Sequence, residues 1–407
     1  MFQIEEKLSQ NSQWKEVQNI LKKLSNKGYQ AVLAGGGVRD SLMGLKPKDF
    51  DIATSAKPQE ILKLFPQAID KWSHYGNVLI PLKTKGHVDV TSFRKEFSYT
   101  DGRHPDKIEY SSMKEDAQRR DFTINALFYD AEKNKIIDFV GGLGDLKNKT
   151  LKTVGESSKR FNEDHLRILR ALRFAHQFQF SLDQKTKEAL FLCSKKLNQI
   201  SRERINSEIL KMLGAGNIGK GLALLEDYEI LKIALSLPNN AFKPAFLFWN
   251  QKFSFYQDPA YLWCIVGLPY FQEATLFKKY LENLKRPSSE VQKSMSYFKS
   301  FQVLTTSQNT VHKIKSLHPY FEQVRELHAL WCKSYQIQDD HLETVIEKFY
   351  KIGKWPLPLI TSSDLLKEAR LFPKEKWSYF LNQAFDLQLE FPEKKKSQIL
   401  KELKKKI

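Results

Sequence analysis

The chain has 407 residues, 41% of them hydrophobic, which is enough for the cores of two to four ordinary domains. Its formal net charge of +18 favours an anionic partner, either a nucleic acid or an anionic membrane surface. Cys193, Cys264 and Cys332 are far apart, which excludes a Cys-X-X-Cys zinc site and indicates no disulfide framework. Because no apolar run is long enough to cross a bilayer, we expect a cytoplasmic protein with reduced thiols.

Helix and strand signals alternate over the first 150 residues. Apolar residues at helical spacing predict a helix over 3–25. A short strand then ends in the glycines of "LAGGGVRD", and the helix that follows is predicted to close at Gly44. "DFDIAT", 49–54, is predicted to be the next of several strands. From about residue 156 the strand signals fade, and the pattern predicts an α+β head with a mixed sheet, followed by an all-helical region.

Two aspartates define the first candidate site. If 49–54 is a strand, Asp49 and Asp51 project from the same face, because side chains alternate along a strand. Two adjacent carboxylates repel unless a cation lies between them, and Mg²⁺ prefers hard oxygen ligands while leaving positions for phosphate oxygens. Asp89, on another predicted strand, is a possible third acid. An exposed acidic turn remains the alternative.

Two further segments carry groups that suit a nucleotide. In the glycine turn before the second helix, backbone N–H groups can approach a phosphate, and Arg39 can bind one through two nitrogens. The turn fits neither a dinucleotide-binding fingerprint nor a P-loop. "QRRDFTINAL" places Arg119, Arg120 and Asp121 together, and arginine can pair with a phosphate or a ribose hydroxyl. The alternative is a charged helix cap.

The segment "FNEDHLRILRALRF", 161–174, is predicted to be a helix. Its charged residues recur every three positions, on one broad face, which is usually a solvated face: Asp164, Arg167, Arg170 and Arg173. A sharper interpretation concerns base edges, since adenine and cytosine each place an amino donor beside a ring-nitrogen acceptor. An Asp can accept from the amino group, and an Arg can donate to the ring nitrogen. Guanine and uracil present the reverse pattern, so the same pair would reject them.

These motifs, in this order, resemble the class II CCA-adding enzymes, bacterial tRNA nucleotidyltransferases in the superfamily of bacterial poly(A) polymerases. The resemblance covers residues 31 to about 213. It implies a polymerase-β-like nucleotidyltransferase head followed by a helical neck, body and tail. The predicted boundaries are 1–150 for the catalytic head, 151–213 for a base-recognising neck, 214–300 for the body and 301–407 for a tRNA-binding tail.

The resemblance also implies roles for residues of the head. Asp49 and Asp51 match the catalytic pair that binds Mg²⁺, and Gly36 and Arg39 match the turn that contacts the triphosphate. Arg120 matches the arginine of a ribose-sensing motif.

Further roles follow for the hinge and the neck. Asp138 and Gly141 match a hinge element of the family. Asp164 and Arg167 match the pair that reads the incoming base, and Arg170 and Arg173 are expected to line the same pocket; the segment 203–208 is expected to buttress it.

Several activities occur within this family. The polar segment 94–107, predicted to be a long mobile loop, argues against an enzyme that adds only CC. The absence of a basic segment soon after the catalytic pair argues against poly(A) addition, whereas an A-adding enzyme stays open. The expected partners are tRNA, CTP and ATP, with Mg²⁺ as cofactor and with neither a membrane nor an obligate protein partner. Outside enzymes, the alternative is a catalytically inactive tRNA-binding protein.

Overall fold

The structure is a computed structural model that describes residues 4–97, 99, 105–237, 242–307, 313, 316–317, 319–338, 359–368, 371–391 and 393–405. The chain divides into two compact units: the first contains residues 1–215 and 220–237, and the second contains 216–219 and 238–407. The predicted division into head, neck, body and tail stays a prediction.

The first unit contains the strands. In chain order they are β1 Ala31–Ala34, β2 Asp51–Thr54, β3 Ile69–Trp72, β4 Asn77–Pro81, β5 His87–Ser92, β6 Arg94–Phe97, β7 Lys107–Tyr110, β8 Phe128–Asp130, β9 Lys135–Ile137, β10 Thr150–Leu151 and β11 Ser181–Leu182. Within the described residues, seven of them form one mixed sheet in the order β3-β4-β5-β2-β1-β8-β9. The pair β2–β5 is parallel, and its neighbours in the sheet are antiparallel.

Helices surround this sheet and continue beyond it. Up to residue 235 they are α1 Ile4–Ser9, α2 Trp14–Ser25, α3 Gly36–Leu42, α4 Pro58–Leu64, α5 Met113–Gln118, α6 Gly142–Lys147, α7 Ser157–Glu163, α8 Leu166–Phe178, α9 Gln184–Cys193, α10 Arg202–Leu213, α11 Ile218–Asp227 and α12 Leu231–Leu235. An α+β head followed by helices is therefore confirmed, including the mixed sheet.

The second unit is helical throughout its described part. Its helices are α13 Phe242–Trp249, α14 Pro259–Gly267, α15 Ala274–Asn283, α16 Ser288–Thr306, α17 Phe321–Tyr335, α18 Ser362–Lys367, α19 Trp377–Glu390 and α20 Lys396–Lys404. The last three helices share a small core of their own, to which Leu365, Phe380 and Ile399 contribute. Among the described residues, every helix is too short or too polar to cross a membrane.

The alternation of side chains along the central strands gives the sheet two different faces. Leu33 and Ile52 lie in a large core under one face, whereas Val32 and Ala53 lie in a smaller core on the other. Because this period is two, Asp51 shares a face with Ala53. The parallel register pairs Asp51 directly with Asp89 on β5, so both carboxylates start from the same face of the sheet.

Three local predictions were wrong. The helix predicted over 3–25 is interrupted between Ser9 and Trp14, where the Asn11 side chain accepts from the Gln13 N–H and donates to the Pro47 carbonyl. The segment predicted as a loop over 94–107 begins and ends in paired strands, β6 and β7. The middle of that loop, residues 98 and 100–104, lies outside the described residues.

The third error concerns 161–174, which is not one helix. Helix α7 ends at Glu163 and α8 begins at Leu166, with Asp164 between them in an extended conformation (φ −141°, ψ 106°). The Asp164 side chain accepts a hydrogen bond from the Leu166 N–H at 3.1 Å. Short polar side chains that bond to the nearby backbone in this way compete with helix continuation.

Candidate nucleotidyl-transfer site

An open cleft of about 550 Å³ lies in the first unit, on the sheet face that carries Asp51. Side chains from three regions line it. The sheet contributes Asp51, Asn77 and Asp89; the segment after α5 contributes Arg119 and Arg120; and the helical segment contributes Asp164, Arg167 and Arg204. The cleft therefore brings together six residues that the sequence singled out, and it adds Asn77 and Arg204, which the sequence did not single out.

The electrostatics of Asp51 distinguish it from an ordinary surface carboxylate. Burial raises the pKa of Asp51 to about 6, and the negative charges of Asp89 and Asp49 add to this effect while Arg120 opposes it. The side chain stays accessible from the cleft, whose walls displace much of the surrounding water. A carboxylate held beside two others is a site that a cation would stabilise.

Asp49 is placed differently from the prediction. Strand β2 begins at Asp51, which pairs with Ala34, the last residue of β1. Asp49 is exposed, lies just before the strand, and is not among the residues that line the cleft. Its charge nevertheless acts on Asp51, so the two carboxylates are electrostatically coupled without lying side by side on one strand.

The glycine turn brings the backbone close to the acidic residue and to an arginine. Gly35 has a φ of +69°, and a Cβ added there would lie 3.2 Å from Arg120 Nη1 and 3.5 Å from Asp51 Oδ2. Gly36 then begins α3. Arg120 donates to Asp116 at 3.1 Å and to the Asn125 carbonyl at 3.2 Å, so its guanidinium is fixed at the edge of the cleft.

Arg39, predicted to contact a triphosphate, is not among the residues that line the cleft. Its side chain is buried and donates to Asp40 at 2.8 Å and to the Asn125 side chain at 2.5 Å. The guanidinium also lies over the rings of Phe174 and Phe178, at 5.1 and 4.6 Å from their centroids. In this arrangement Arg39 fastens α3 to α8, and its contact with a phosphate stays a prediction.

The predicted base-reading pair lies in the cleft, but its two members bond to other residues. Asp164 accepts hydrogen bonds from Arg204 Nη2 at 3.1 and 3.2 Å. Arg167 donates to Glu163 at 2.7 Å and to the carbonyls of Arg160 and Arg119 at 3.1 and 3.3 Å. Arg204 was missed because the segment 203–208 was interpreted only as a buttress.

Arg170 and Arg173 are not brought to the cleft, contrary to expectation. Arg170 donates to Asp121 at 2.9 and 2.5 Å, and Arg173 donates to Glu208 at 2.6 Å. The helix geometry explains the difference, because a step of three residues turns the side chain by about 60° relative to the starting face. Two such steps from Arg167 lead to a different side of α8.

A buried ion network supports the cleft. Glu96 accepts from Arg94 at 2.7 Å and from Arg119 at 2.9 Å, and Arg119 also donates to Asp116 at 2.8 Å. Asp116 in turn accepts from Arg120. Burial acts to raise the pKa of Glu96, but its arginine partners hold that pKa below the usual value. No sequence pattern pointed to Glu96, which lies in the segment predicted to be a loop.

Asp138 and Gly141, predicted to form a hinge element, occur at the start of α6. The Asp138 carboxylate accepts four backbone hydrogen bonds, from residues 140 to 143, at 2.9 to 3.1 Å. Gly141 has a φ of +82°, which a glycine adopts without strain. These contacts cap the helix.

The cleft offers oxygen ligands for a divalent ion, but its described side chains do not form a complete coordination shell. Among the described residues, no cluster of three or more His, Cys, Asp or Glu side chains is arranged to hold a metal. Asn77 donates to Asp89 at 3.1 Å, while its buried side-chain oxygen has no hydrogen-bond partner in the described structure. This donor set fits an ion such as Mg²⁺, which proteins bind through one or two carboxylates with substrate phosphates completing the shell.

Two segments of the chain match models of known protein families. Residues 31–152 match the model of the poly A polymerase head domain, and residues 179–240 match that of the probable RNA and SrmB-binding site of polymerase A. The seven-stranded sheet lies within the first of these matches, and helices α9 and α10 lie within the second. The cleft residues Asp164 and Arg167 lie between the two matches. The first unit therefore resembles the poly A polymerase head domain over residues 31–152.

Curated relatives that are similar to this chain include CCA-adding enzymes. The CCA-adding enzyme of Lactococcus lactis subsp. cremoris is 44% identical over 221 residues, 53% of this chain and 54% of that protein. The CCA-adding enzyme of Ligilactobacillus salivarius is 42% identical over 221 residues, 54% of each. The chain thus covers about half the length of the curated relatives that it matches. The predicted resemblance to the class II CCA-adding enzymes is confirmed.

Solved structures extend the likeness of fold to nearly the whole chain. The CCA-adding enzyme of Bacillus stearothermophilus in complex with CTP has a TM-score of 0.71 at 23% identity, covering 97% of this chain and 99% of that one. The Thermotoga maritima CCA-adding enzyme complexed with tRNA has a TM-score of 0.69 at 18% identity, covering 98% and 97%. At these identities the likeness shows the fold.

Proposed function

We propose that this protein is a tRNA nucleotidyltransferase that adds CCA to the tRNA 3′ end from CTP and ATP, without a nucleic-acid template. The observation that carries the proposal is the single cleft in which Asp51 and Arg120 of the head meet Asp164 and Arg167. A carboxylate suited to a metal-bound triphosphate and a pair suited to the base edge are thereby placed in one site.

The residues of the cleft have distinct roles in this proposal. Asp51, with Asp49 nearby, would hold Mg²⁺, which would supply charge stabilisation to the α-phosphate and to the leaving pyrophosphate. The terminal ribose hydroxyl of the tRNA attacks that α-phosphate, and pyrophosphate leaves. Arg120 faces the sugar and phosphates. Asp164 accepts from the amino group of cytosine or adenine, and Arg167 donates to the ring nitrogen.

Three tRNA transcripts test the activity: one ends at the discriminator base, one after C and one after CC. Each is incubated with CTP, ATP or both in the presence of Mg²⁺, and the products are sized on a gel. We expect all three transcripts to grow to the same CCA end. Extension of the CC transcript alone by one A would instead identify an A-adding enzyme, and a long A ladder would identify a poly(A) polymerase.

Loss of the metal-binding carboxylates tests the mechanism. We expect Asp51→Asn and Asp49→Ala each to reduce nucleotidyl transfer by about a thousandfold or more, because the charge that holds the metal is removed. Binding of tRNA, followed by gel shift, should stay within about twofold, because the phosphate backbone is held elsewhere. Asp70→Asn, an exposed position on β3 outside the cleft, is the matched control.

Pyrophosphate release separates this enzyme from an inactive tRNA-binding protein. The unmodified protein should release pyrophosphate only when tRNA, a nucleoside triphosphate and Mg²⁺ are all present. Tight tRNA binding without any pyrophosphate release would identify a binding protein. Normal release by Asp51→Asn would contradict the metal assignment.

A further inference from the structure

Asn125 is a buried residue outside the cleft whose side chain bonds to two charged groups. It ends the short 3-10 helix Thr123–Asn125, is 7% exposed and does not line the cleft. Its side-chain oxygen accepts from Arg39 Nη1 at 2.5 Å, and its side-chain nitrogen donates to Asp121 Oδ1 at 3.0 Å. Because a guanidinium only donates and a carboxylate only accepts, these neighbours fix the orientation of the amide.

The two partners of Asn125 lead to opposite sides of the cleft. Arg39 belongs to α3, which follows the glycine turn on the side proposed to bind phosphate. Asp121 accepts from Arg170 of α8 at 2.9 and 2.5 Å. Arg167, one of the proposed base readers, is on that same helix and lines the cleft. A continuous series of hydrogen bonds through Asn125 therefore joins helix α3 to helix α8.

The backbone of Asn125 adds a third link. Its carbonyl accepts from Arg120 Nη1 at 3.2 Å, and Arg120 lines the cleft. The side chain at this position must accept from Arg39 and donate to Asp121. An asparagine amide does both, whereas an aspartate of the same shape can only accept and a leucine can do neither. The position therefore requires an amide for its hydrogen-bonding groups as well as for its size.

We propose that Asn125 is a positioning residue that holds the phosphate side of the cleft, with Asp51, and its base side, with Arg167, at a fixed separation. Both ends of one nucleotide then bind at the same time. The inference rests on the proposed function, since it takes Asp51 to lie at the triphosphate and Arg167 at the base. When two subsites are held in register, binding at one makes binding at the other effectively intramolecular, and the two affinities reinforce each other. Without that register, each contact still forms alone, but their combination is weaker.

The decisive measurement compares the dissociation constants of CTP and of inorganic tripolyphosphate, both with Mg²⁺, by titration calorimetry. Tripolyphosphate has no base and occupies only the phosphate side. Asn125→Asp keeps the acceptor for Arg39 but turns a second acceptor towards Asp121, so it breaks the link on the base side alone. We expect the Kd for CTP to rise by about tenfold or more, while the Kd for tripolyphosphate stays within about twofold. A general loosening of the fold would weaken both ligands.

Thr123→Val is the matched control, because it removes one buried hydrogen bond from the same short helix. The Thr123 hydroxyl donates to Asp145 of α6 at 2.7 Å and bonds to neither partner of Asn125. This variant should bind CTP and tripolyphosphate as the parent does. Asn125→Leu removes both side-chain bonds without adding a charge, and it should also weaken CTP more than tripolyphosphate.

The variants and the parent give distinguishable results. Parent-like binding of CTP in Asn125→Asp overturns the proposal, and so does an equal weakening of both ligands. An effect of the same size in Thr123→Val also overturns it. If Asn125→Asp melts far below the parent, Asn125→Leu replaces it and the same two constants decide. A parent protein that binds CTP but transfers no nucleotide to tRNA contradicts the proposed function instead, and the two constants still decide the role of Asn125. A parent that binds no CTP contradicts both.

Discussion

At the scale of single residues, the backbone of Gly35 lies close to two side chains of the candidate site, Arg120 and Asp51. Both Gly35 and Gly44 have left-handed backbone conformations, with φ of +69° and +75°. Only Gly35 has neighbours: a Cβ there would approach Arg120 Nη1 and Asp51 Oδ2, whereas nothing lies within 4 Å of a Cβ at Gly44. Substitutions at both positions would strain the backbone, but only a substitution at Gly35 would also disturb the site. Comparing the two therefore separates the two effects.

We expect Gly35→Ala and Gly44→Ala each to lose about 1 kcal/mol of unfolding free energy, because a side chain is strained at positive φ. Only Gly35→Ala should also slow nucleotidyl transfer, by about tenfold to a hundredfold, because small displacements of catalytic groups are costly. Urea unfolding and transfer assays on both variants measure the two effects. Equal transfer rates in the two variants would show that the site tolerates the added methyl group.

A buried carboxylate gives a second residue-scale prediction. Burial acts to raise the pKa of Asp121, but Arg170 and the Asn125 side chain bond to it and lower that pKa well below its ordinary value. A carboxylate whose pKa is lower in the folded state stabilises the protein above its unfolded pKa of about 3.9, and this stabilisation is lost as the pH falls below that value.

We expect Asp121→Asn to cost about 2 kcal/mol or more at pH 7, because it leaves Arg170 without its partner. The free-energy difference between parent and variant should be constant from pH 7 to about 5 and should shrink below about pH 4. Urea unfolding at a series of pH values tests both statements. Glu132→Gln, in the exposed turn after β8, removes a charge without breaking a buried pair and should show neither effect.

At the scale of elements, helix α6 contains two glycines with opposite surroundings. A Cβ at Gly142 would lie 2.2 Å from the Thr123 carbonyl oxygen, so the helix packs directly on that backbone. Nothing lies within 4 Å of a Cβ at Gly144 on the same helix. Gly142 is therefore required for docking, and Gly144 is not.

The two glycines of α6 predict changes of opposite sign. Gly142→Ala should lower the unfolding free energy by about 2 kcal/mol or more, because the backbone must move to admit the methyl group. Gly144→Ala should raise it by about 0.5–1 kcal/mol, because alanine is the better helix residue and meets no obstacle. Urea unfolding of the two variants checks the pair, and a stabilised Gly142→Ala would contradict the packing described here.

Some elements of the first unit could be predicted from the sequence and others could not. Hydrophobic alternation and glycine turns predicted the strands β1, β2 and β5, because half-buried strands carry a period of two in their own residues. The break at Asp164 was missed because a helical pattern continues through it, and it depends on one side chain bonding to the backbone. The ion pairs of Arg170 and Arg204 were missed because they join residues 40 or more positions apart.

Across the whole molecule, sequence similarity and likeness of fold have different extents. The curated relatives match about half of the chain, whereas solved structures match nearly all of it in fold. Helix packing accepts many apolar residues of suitable size, so a helical fold can persist while its sequence changes. The sequence therefore predicted candidate residues only in the head and in the segment that completes the cleft.

The formal charge of +18 leads to a prediction about salt. If the protein holds tRNA through phosphates, the logarithm of the binding constant should fall linearly with the logarithm of the salt concentration. The binding constant itself should fall by about tenfold or more between 50 and 200 mM.

If the predicted tail contacts tRNA phosphates, replacing its exposed lysines by Lys395→Gln and Lys401→Gln should reduce the slope of that line by about one per lost phosphate contact. Lys133→Gln with Lys135→Gln, near β9 and outside the cleft, is the matched control and should leave the slope unchanged. Filter binding of one tRNA transcript at five salt concentrations distinguishes the cases, and equal slopes for the tail and control variants would move the RNA contact away from residues 393–405.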